Sequence, residues 1–373
     1  MSKTKLKQQV VAELWWKAGG RCEFNGCNKA LDVHGVTMDK CNLSNCAHII
    51  ADSPNGPRGT EKSSDLADDP SNIMLMCPDC HKYIDHEGKD KYDAETLRAM
   101  KRDHEKRIRF LTGLTEDQQA HFVTFGSKIG DTRPEISFSE IQCAALPDFY
   151  PADPNPIDLG GKWYTDGDWD SFWDEEVKNI EYNCDDQIIR NIRRWEHNRI
   201  ALFALAPMPS LVKLGTILNN KLNVEVYQKH RSSSWKWEPD NGNVVKYTVN
   251  RPLDTSRRPI LVLSLSFAIT ERIMKKYGST ASIWEMTIDD PNPDFLKTKK
   301  DLESFCRSLE LLLDEINKST QYDSLDLFLA VPASCAVEIG RIWMQKANLS
   351  LNIYDYDKRQ SDEDKLAITI KNS

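Results

Sequence analysis

Two pairs of closely spaced cysteines are the residues of this sequence that point most directly to chemistry. Cys22 and Cys27 bound the motif RCEFNGC, and Cys77 and Cys80 form the motif CPDC further along the chain. A Cys-x-x-Cys turn directs both sulfurs at one ion, and four thiolates make a tetrahedral zinc ligand set. The spacing therefore predicts a structural zinc site of four cysteines.

A further pair of cysteines leaves open which four cysteines bind the metal. Cys41 and Cys46, in CNLSNC, have the same internal spacing as Cys22 and Cys27. They form a rival ligand pair or a buried hairpin pair.

Three polar residues lie among these cysteines in the order His, Asn, His: His48, Asn72 and His81. A single histidine usually has a structural role, but three such residues around a four-cysteine framework are more specific. The pattern resembles the HNH endonuclease family over about residues 22–105, in the segments AHIIADSPNGPRG, SNIMLMCPDCHKYID and LRAMKRDHE. The resemblance implies a ββα-metal domain that hydrolyses DNA.

Phosphodiester hydrolysis needs a base for the attacking water and a Lewis acid at the scissile phosphate. By resemblance, His48 on a strand is the general base, and Asn72 holds the loop or the His48 ring. His81, after the second cysteine pair, binds the catalytic Mg²⁺ or another divalent cation.

One position departs from the family. Many HNH sites have an acidic metal ligand before the first histidine, and Ala47 stands there in this sequence. Asp85 and His86 are the candidates for the missing ligand.

Basic residues cluster in KRDHEKRIR, residues 101–109, on a predicted helix. A solvated helix face is the simpler interpretation of an isolated run, but the adjacent nuclease motif favours DNA binding. We expect Lys101, Arg102 and Lys106 to hold the duplex backbone and Arg58 to contact a phosphate. Such contacts position DNA without reading its sequence.

The length of 373 residues and the net charge of −8 indicate a folded protein of two or three units. We assign residues 1–112 to the nuclease domain, 113–135 to a linker and 136–373 to an α/β domain, because strand-like and helical runs alternate there. No apolar run reaches the roughly 20 residues of a membrane helix, and no secretory signal is evident. We therefore expect a cytoplasmic protein without membrane contact.

The second domain contains an internal repeat, residues 201–228 and 326–354, that aligns Gly215 with Gly340. Each copy predicts a strand, a proline turn, a helix and a second strand, as in Rossmann-like folds, whose helix N-termini bind anions. A duplication that serves only the fold is the alternative. The turn residues expected at a ligand are Pro207, Ser210, Pro332 and Ser334.

The segments HRSSSWKW and LVLSLSFAIT, with the two proline turns, resemble the SAVED domain, a fusion of two CARF-like sensor halves, over about residues 136–373. The fold class is thus α+β followed by α/β. This resemblance implies a bacterial CBASS anti-phage effector, in which a cyclic di- or trinucleotide activates cleavage of double-stranded DNA. The alternative to ligand binding by the tryptophans of HRSSSWKW is that their indoles fill a hydrophobic core. Because aromatic and arginine side chains can stack on bases, we expect a base of the ligand against Trp235 or Trp237 with Arg231 nearby, and Tyr354 and Tyr356 are additional candidates.

A ligand activates only if it binds the active assembly more tightly than the idle one. We expect an idle monomer or dimer and a larger homo-oligomer with ligand, in which paired HNH domains each cut one strand. One alternative is a ligand-independent restriction-type HNH nuclease, against which the acidic second half counts. Another is a zinc-stabilised nucleotide sensor without catalysis, which Ala47 keeps open.

Overall fold

The computed structural model describes residues 6–129, 132, 134–160, 169–195, 198–232, 234–356 and 363–372. The chain divides into two compact units, Met1–Thr115 and Glu116–Ser373. In these described ranges, no helix combines the length and the apolar character that crossing a membrane requires.

The described residues of the first unit form a small two-stranded sheet, three α-helices and two short 3-10 helices. Its elements are α1 (Gln8–Ala18), β1 (Asn45–His48), β2 (Ile73–Met76), α2 (Pro78–Asp85) and α3 (Ala94–Thr112). All four residues of β2 are buried, and β1 runs antiparallel to it with His48 opposite Ile73. Asp93 caps α3 by accepting a hydrogen bond of 2.7 Å from the Thr96 N–H. The order β1, β2, α2 gives the ββα arrangement that the sequence predicts.

The second unit contains two sheets, of which the first is parallel. Its elements are β3 (Gln119–Gly126), α4 (Phe138–Ala145), β4 (Tyr150–Pro151), β5 (Ile157–Asp158), α5 (Trp169–Cys184), β6 (Arg199–Leu205), α6 (Met208–Leu218) and β7 (Asn223–Tyr227). The strand order is β4-β3-β6-β7, and β5 also pairs with β3.

The strand β3 lies inside residues 113–135, where the weak periodicity of the sequence predicts a linker. It pairs along its length with β6, from His121 opposite Ile200 to Gly126 opposite Leu205, and all but its first residue are buried. A parallel strand buried on both faces has no alternation of polar and apolar residues, so it lacks the usual strand pattern. The linker prediction is wrong for this segment, and the second unit begins at Glu116.

The second sheet has six strands. Its elements are β8 (Thr248–Asn250), β9 (Arg258–Ser264), α7 (Thr270–Tyr277), β10 (Ala281–Thr287), α8 (Lys299–Ser319), β11 (Ser324–Ala330), α9 (Ala333–Ile342), β12 (Ser350–Asp355) and β13 (Lys365–Ile370). The order is β13-β12-β11-β9-β10-β8, with four parallel inner strands between two antiparallel edge strands. The alternation of helices and strands that predicts an α/β domain is confirmed.

The two copies of the internal repeat form matching strand-helix-strand units, β6-α6-β7 in the first sheet and β11-α9-β12 in the second. The strand β7 is at the edge of its sheet, whereas β13 pairs with the outer side of β12. Their helices α6 and α9 cross at the matched glycines. A Cβ atom on Gly340 would lie 2.0 Å from the Val212 carbonyl oxygen, and one on Gly215 would lie 2.1 Å from that of Val337. This reciprocal contact is the pattern of a local two-fold axis. Only glycine permits the approach.

The close crossing predicts a large effect of one methyl group. We expect Gly340→Ala to lower the free energy of unfolding of the second unit by about 2–3 kcal/mol, because the obstacle is backbone and not a flexible side chain. Calorimetric unfolding measures the change, and Thr216→Ala on the facing helix is the control. A transition unchanged in Gly340→Ala would contradict the close approach of α6 and α9.

Candidate functional site

Four cysteine sulfurs converge in the first unit. Cys77 is the N-cap of α2, and its sulfur accepts a hydrogen bond of 3.5 Å from the Cys80 N–H. Cys22 and Cys27 bound a turn in which the Cys27 N–H donates to the Phe24 carbonyl oxygen at 3.0 Å. All four sulfurs lie within 4.8 Å of one another and could hold a metal ion.

The donor set suits a cation that stabilises thiolates. Burial raises the pKa of Cys22 to about 12, and this effect outweighs two backbone hydrogen bonds that lower the pKa by favouring the thiolate. Because metal ligation needs thiolates, a bound cation would supply the missing stabilisation. The rival pair is not part of this group: Cys46 lies on β1 opposite Leu75, and Cys41 also lies outside the four-sulfur cluster.

His48 is the last residue of β1 and is half-buried. Its Nε2 lies 2.8 Å from the carbonyl oxygen of Ala67. A carbonyl oxygen can only accept, so Nε2 carries the proton and donates it. The unprotonated Nδ1 is then the atom that can accept a proton from water.

Asn72 is buried at the turn that leads into β2. Its Oδ1 accepts from the Ile50 N–H at 3.0 Å, and its Nδ2 donates to the carbonyl oxygens of Ile50 at 2.9 Å and Leu66 at 3.2 Å. Leu66 precedes Ala67, the partner of His48. The hydrogen bonds of Asn72 within the described residues therefore tie together the loop around His48. Of its two predicted roles, holding the loop or holding the His48 ring, these bonds match the first.

His81 lies in the first turns of α2 and is about one-third exposed. Its Nε2 is 3.2 Å from Oδ2 of Asp85, one helical turn further. The Asp85 Oδ1 accepts a hydrogen bond of 2.8 Å from the Arg58 guanidinium. Burial acts to raise the pKa of Asp85, but the hydrogen bonds from His81 and Arg58 outweigh it and hold this pKa below its usual value.

The position of the missing acidic ligand, Ala47, and the second candidate to replace it, His86, lie in different environments. Ala47 is buried on β1 opposite Met74, so its side chain offers no donor. His86 follows the last residue of α2, where its side chain is exposed.

The predicted DNA contacts separate into exposed and buried groups. Lys101 is buried, 2.6 Å from a Glu105 oxygen and 3.7 Å from a Glu23 oxygen, so it cannot hold a DNA backbone as predicted. Burial raises the pKa of Glu23 to about 7. Arg102 and Lys106 are exposed on α3, with Arg102 2.9 Å from Glu95.

Arg58 also differs from its predicted role. Its side chain is only 8% exposed, and its three guanidinium nitrogens donate to Ile49, Ile84 and Asp85. A guanidinium with its donors committed inside the protein does not contact a phosphate.

In the second unit, the serines of the two proline turns are buried and bound by protein groups. The Ser210 hydroxyl donates to Oε1 of Glu176 at 2.9 Å. The Ser334 N–H and hydroxyl donate to Oε1 of Gln228 at 3.0 and 2.8 Å. Side-chain acceptors of the protein thus already bond the serine groups that the sequence predicts at a ligand phosphate. The prolines of these turns, Pro207 and Pro332, are the N-cap residues of α6 and α9.

Four buried polar atoms without hydrogen-bond partners in the described residues lie at the last residue of β7 and in the segment that follows it. They are the Tyr227 hydroxyl, the His230 Nε2 and the indole N–H groups of Trp235 and Trp237. Buried polar groups are nearly always satisfied, by protein, water or ligand. Four such atoms lie within residues 227–237, and two of their residues, Tyr227 and Trp237, also line a cavity.

Tyr227 and Trp237 line a mostly apolar cavity of about 360 Å³ beside the first residues of α8. Lys236 and Lys299 also line it. Lys299 is 2.8 Å from Asp148 and 2.7 Å from Glu225, so part of its charge is already balanced.

The two predicted tryptophans have different environments. Trp235 is 1% exposed and packs edge-to-face on Phe203 with ring centroids 5.4 Å apart, so it is the core indole that the sequence leaves as an alternative. Trp237 contacts His230 edge-to-face at 5.7 Å and reaches the cavity. Arg231 lies nearby in an exposed turn.

The two predicted tyrosines lie on and after β12. Tyr354 stacks on Phe328 with ring centroids 4.6 Å apart, and Tyr356 lies under the Arg272 guanidinium at 4.6 Å. No residue of the 360 Å³ cavity belongs to this strand. The structure therefore does not bring these tyrosines into that cavity.

Sequence reasoning misses two residues of these sites. Gln228 directly follows β7, but its partner Ser334 lies 106 residues further along the chain, so no local pattern identifies it. Glu176 lies in the middle of α5, where nothing in the sequence distinguishes it from a surface glutamate.

Comparisons with known proteins agree with both units. Residues 184–370 match the SAVED family model, described as the SMODS-associated and fused to various effectors sensor domain. Residues 22–87 match the HNH_2 model, described as HNH endonuclease. A search among curated proteins gave no match.

Among solved structures, the chain resembles the Acinetobacter baumannii Cap4 SAVED/CARF-domain containing receptor with the cyclic trinucleotide 2'3'3'-cAAA, at 14% identity and a TM-score of 0.41. That match covers 83% of this chain and 66% of the other, slightly less than two thirds. The Moraxella osloensis Cap4 receptor matches at 13% identity and a TM-score of 0.38, over 83% of this chain and 71% of the other.

Proposed function

The chain belongs to the SAVED family of sensor domains, and we propose that its second unit binds a cyclic di- or trinucleotide and thereby activates DNA cleavage by the first. The observation that carries this proposal is the joining of a SAVED domain and an HNH endonuclease domain in one chain. The biological setting we propose is bacterial anti-phage defence of the CBASS type.

We propose two metal sites in the first unit. Zn²⁺ held by the four clustered cysteines stabilises the fold, since four sulfurs within 4.8 Å match its preferred donors. A separate divalent cation, Mg²⁺ or a related ion, is held by His81. When bound, it neutralises charge that develops on the scissile phosphate.

His48 acts as the general base in this proposal. The Ala67 carbonyl oxygen holds the Nε2 proton at 2.8 Å, which leaves Nδ1 to accept a proton from the attacking water. Asn72 supports this geometry because it ties Leu66, next to Ala67, to the segment that follows β1. The chain thus fixes both the ring and its tautomer before substrate binds.

The DNA backbone is held by the exposed cations of α3. Arg102 and Lys106 remain in this role, whereas Lys101 and Arg58 are committed inside the unit. Contacts of this kind act on phosphates, so cleavage should weaken with salt and show little dependence on DNA sequence.

We propose that the cavity beside Trp237 is part of the nucleotide site. Its apolar wall suits a base, while the unpartnered Tyr227 hydroxyl and Trp237 N–H can bond to base or phosphate acceptors. The two repeat copies, packed through Gly215 and Gly340, form the two CARF-like halves of the sensor. The ligand binds a larger homo-oligomer more tightly than the idle form, and this difference in affinity shifts the equilibrium toward the oligomer. In the oligomer, the HNH domains act in pairs.

Removal of the Trp237 indole should weaken ligand binding. Loss of one base-stacking contact costs about 1–3 kcal/mol, so Trp237→Ala should raise the dissociation constant about 5- to 150-fold. Isothermal titration calorimetry measures it. Trp16→Ala, which removes an indole that is 81% exposed in the first unit, is the matched control. An unchanged constant in Trp237→Ala would remove the cavity from the ligand site.

The test of the proposed function is a cleavage assay with plasmid DNA, Mg²⁺ or Mn²⁺, and a panel of cyclic di- and trinucleotides that includes 2'3'3'-cAAA. We expect cleavage with one ligand and divalent metal, and none with EDTA. Cleavage without any ligand would favour a restriction-type nuclease. Ligand binding without cleavage would favour a sensor that lacks catalysis.

A further inference from the structure

Arg58 joins the strand that carries His48 to the helix that carries His81. Its Nε donates to the Ile49 carbonyl oxygen at 2.6 Å, directly after His48, and its Nη1 donates to the Ile84 carbonyl oxygen at 2.9 Å. Its Nη2 donates to Oδ1 of Asp85 at 2.8 Å. The planar guanidinium holds its three nitrogens apart in a fixed fork, so it reaches three separate acceptors at once, whereas the three donors of an ammonium group all lie on one nitrogen. The side chain is only 8% exposed, so these partners are not exchanged for water.

The loop that carries Arg58 is folded tightly enough to direct this side chain inward. Arg58 has a left-handed backbone with φ of 56°. Beside it, a Cβ on Gly59 would lie 2.3 Å from the Pro54 carbonyl oxygen, and one on Gly56 would lie 2.5 Å from the Ala51 Cβ. Residues with such a backbone persist where their surroundings determine them and often mark functional sites.

The Asp85 carboxylate has both oxygens engaged. Oδ1 accepts from Arg58, and Oδ2 lies 3.2 Å from Nε2 of His81, four residues earlier on the same helix face. A carboxylate accepts, so it holds the His81 proton on Nε2 and leaves the Nδ1 lone pair available. Histidines that bind metals commonly donate their second nitrogen to a carboxylate, which fixes the ring and strengthens the ligand.

We infer that Arg58 is a positioning residue for His81: through Asp85 it holds the ring so that Nδ1 faces the divalent cation. Asp85 is then the orienting carboxylate and not a metal ligand, which replaces its predicted role. This inference rests on the proposed function for the presence of that cation, but the ring geometry itself is a property of the metal-free site.

The test uses the full-length protein labelled with ¹⁵N-histidine, in which proton–nitrogen correlation spectra report each histidine tautomer. His81→Gln identifies the His81 signal. We expect the Nε2–H tautomer in the wild type and a mixture of tautomers in Arg58→Gln and Asp85→Asn. Asp85→Asn is nearly isosteric and leaves the Arg58 bonds to Ile49 and Ile84 intact, so it keeps the test decisive if Arg58→Gln does not fold.

Mn²⁺ binding, followed by electron paramagnetic resonance without DNA, is the second readout. Loss of such an orienting partner weakens metal binding about 10- to 100-fold. We expect a loss of Mn²⁺ affinity of this size in Arg58→Gln and Asp85→Asn, and partial recovery of the affinity in Arg58→Lys. Arg109→Gln, which removes an exposed guanidinium of α3, should change neither readout.

The outcomes separate this inference from the nuclease proposal. An Nδ1–H tautomer of His81 in the wild type, or an unchanged spectrum and Mn²⁺ affinity in both variants, would overturn the positioning role. A change in DNA affinity alone would make Arg58 a phosphate contact instead. If the variants behave as expected but the wild type cuts no DNA, the positioning role stands and the nuclease proposal falls.

Discussion

Replacing Cys80 with serine is expected to unfold the first unit of the protein while the second unit stays folded. Cys80 supplies one of four sulfurs that lie within 4.8 Å of one another. Structural zinc binds such sets with an apparent free energy of about 10–16 kcal/mol, which equals or exceeds the whole stability of a typical domain, about 5–15 kcal/mol. The hydrophobic core around β2 is small, so it cannot replace this contribution.

Three measurements check this prediction. Mass spectrometry should find no zinc in Cys80→Ser, limited proteolysis should cut within residues 1–115, and the unfolding transition of the second unit should be unchanged. Cys41→Ser is the matched control, because Cys41 lies outside the four-sulfur group. A folded first unit with full zinc content in Cys80→Ser would contradict the site. Loss of zinc in Cys41→Ser would instead favour the rival pair.

Removing the His48 side chain should abolish cleavage without disturbing either fold. The imidazole is half-buried, and the hydrogen bond it makes among the described residues is to the Ala67 carbonyl oxygen, so its loss should cost little stability. A positioned general base contributes about 10²–10⁴-fold to rate, and we expect His48→Ala to lose at least that factor. Single-turnover cleavage of plasmid DNA at saturating ligand measures the loss.

His34→Ala is the control for this substitution. The His34 side chain is exposed, and its imidazole Nδ1 lies within hydrogen-bond distance of Thr37 in the same turn, so its removal should leave cleavage unchanged. Zinc content and ligand affinity should match the wild type in both variants. Cleavage at the wild-type rate in His48→Ala would show that another group takes the proton.

Much of the first unit can be predicted from sequence because its chemistry is local. The spacing of Cys77 and Cys80 belongs to one helix turn, and the strand position of His48 is implied by the resemblance of its segment to HNH endonucleases. Lys101 is different, since a lysine on a charged helix gives no sign that Glu23 and Glu105 bury it.

The second unit is predictable as an architecture but less so as a site. The repeat that aligns Gly215 with Gly340 anticipates matching strand-helix-strand units, because each is a continuous segment. The partners of Ser210 and Ser334 come from Glu176 and Gln228, distant segments that local patterns do not reveal. The strand β3 is a continuous segment but is still not predicted, because burial on both of its faces removes the alternation of polar and apolar residues that marks a strand.

The central claim is that a nucleotide bound to the second unit controls hydrolysis in the first. The direct measurement is the initial rate of plasmid cleavage in Mg²⁺ as the activating cyclic nucleotide is titrated into the wild-type protein. We expect no cleavage without ligand and a saturable rise in rate whose midpoint follows the binding constant measured by calorimetry. A rate that is the same at every ligand concentration, including zero, would contradict the claim.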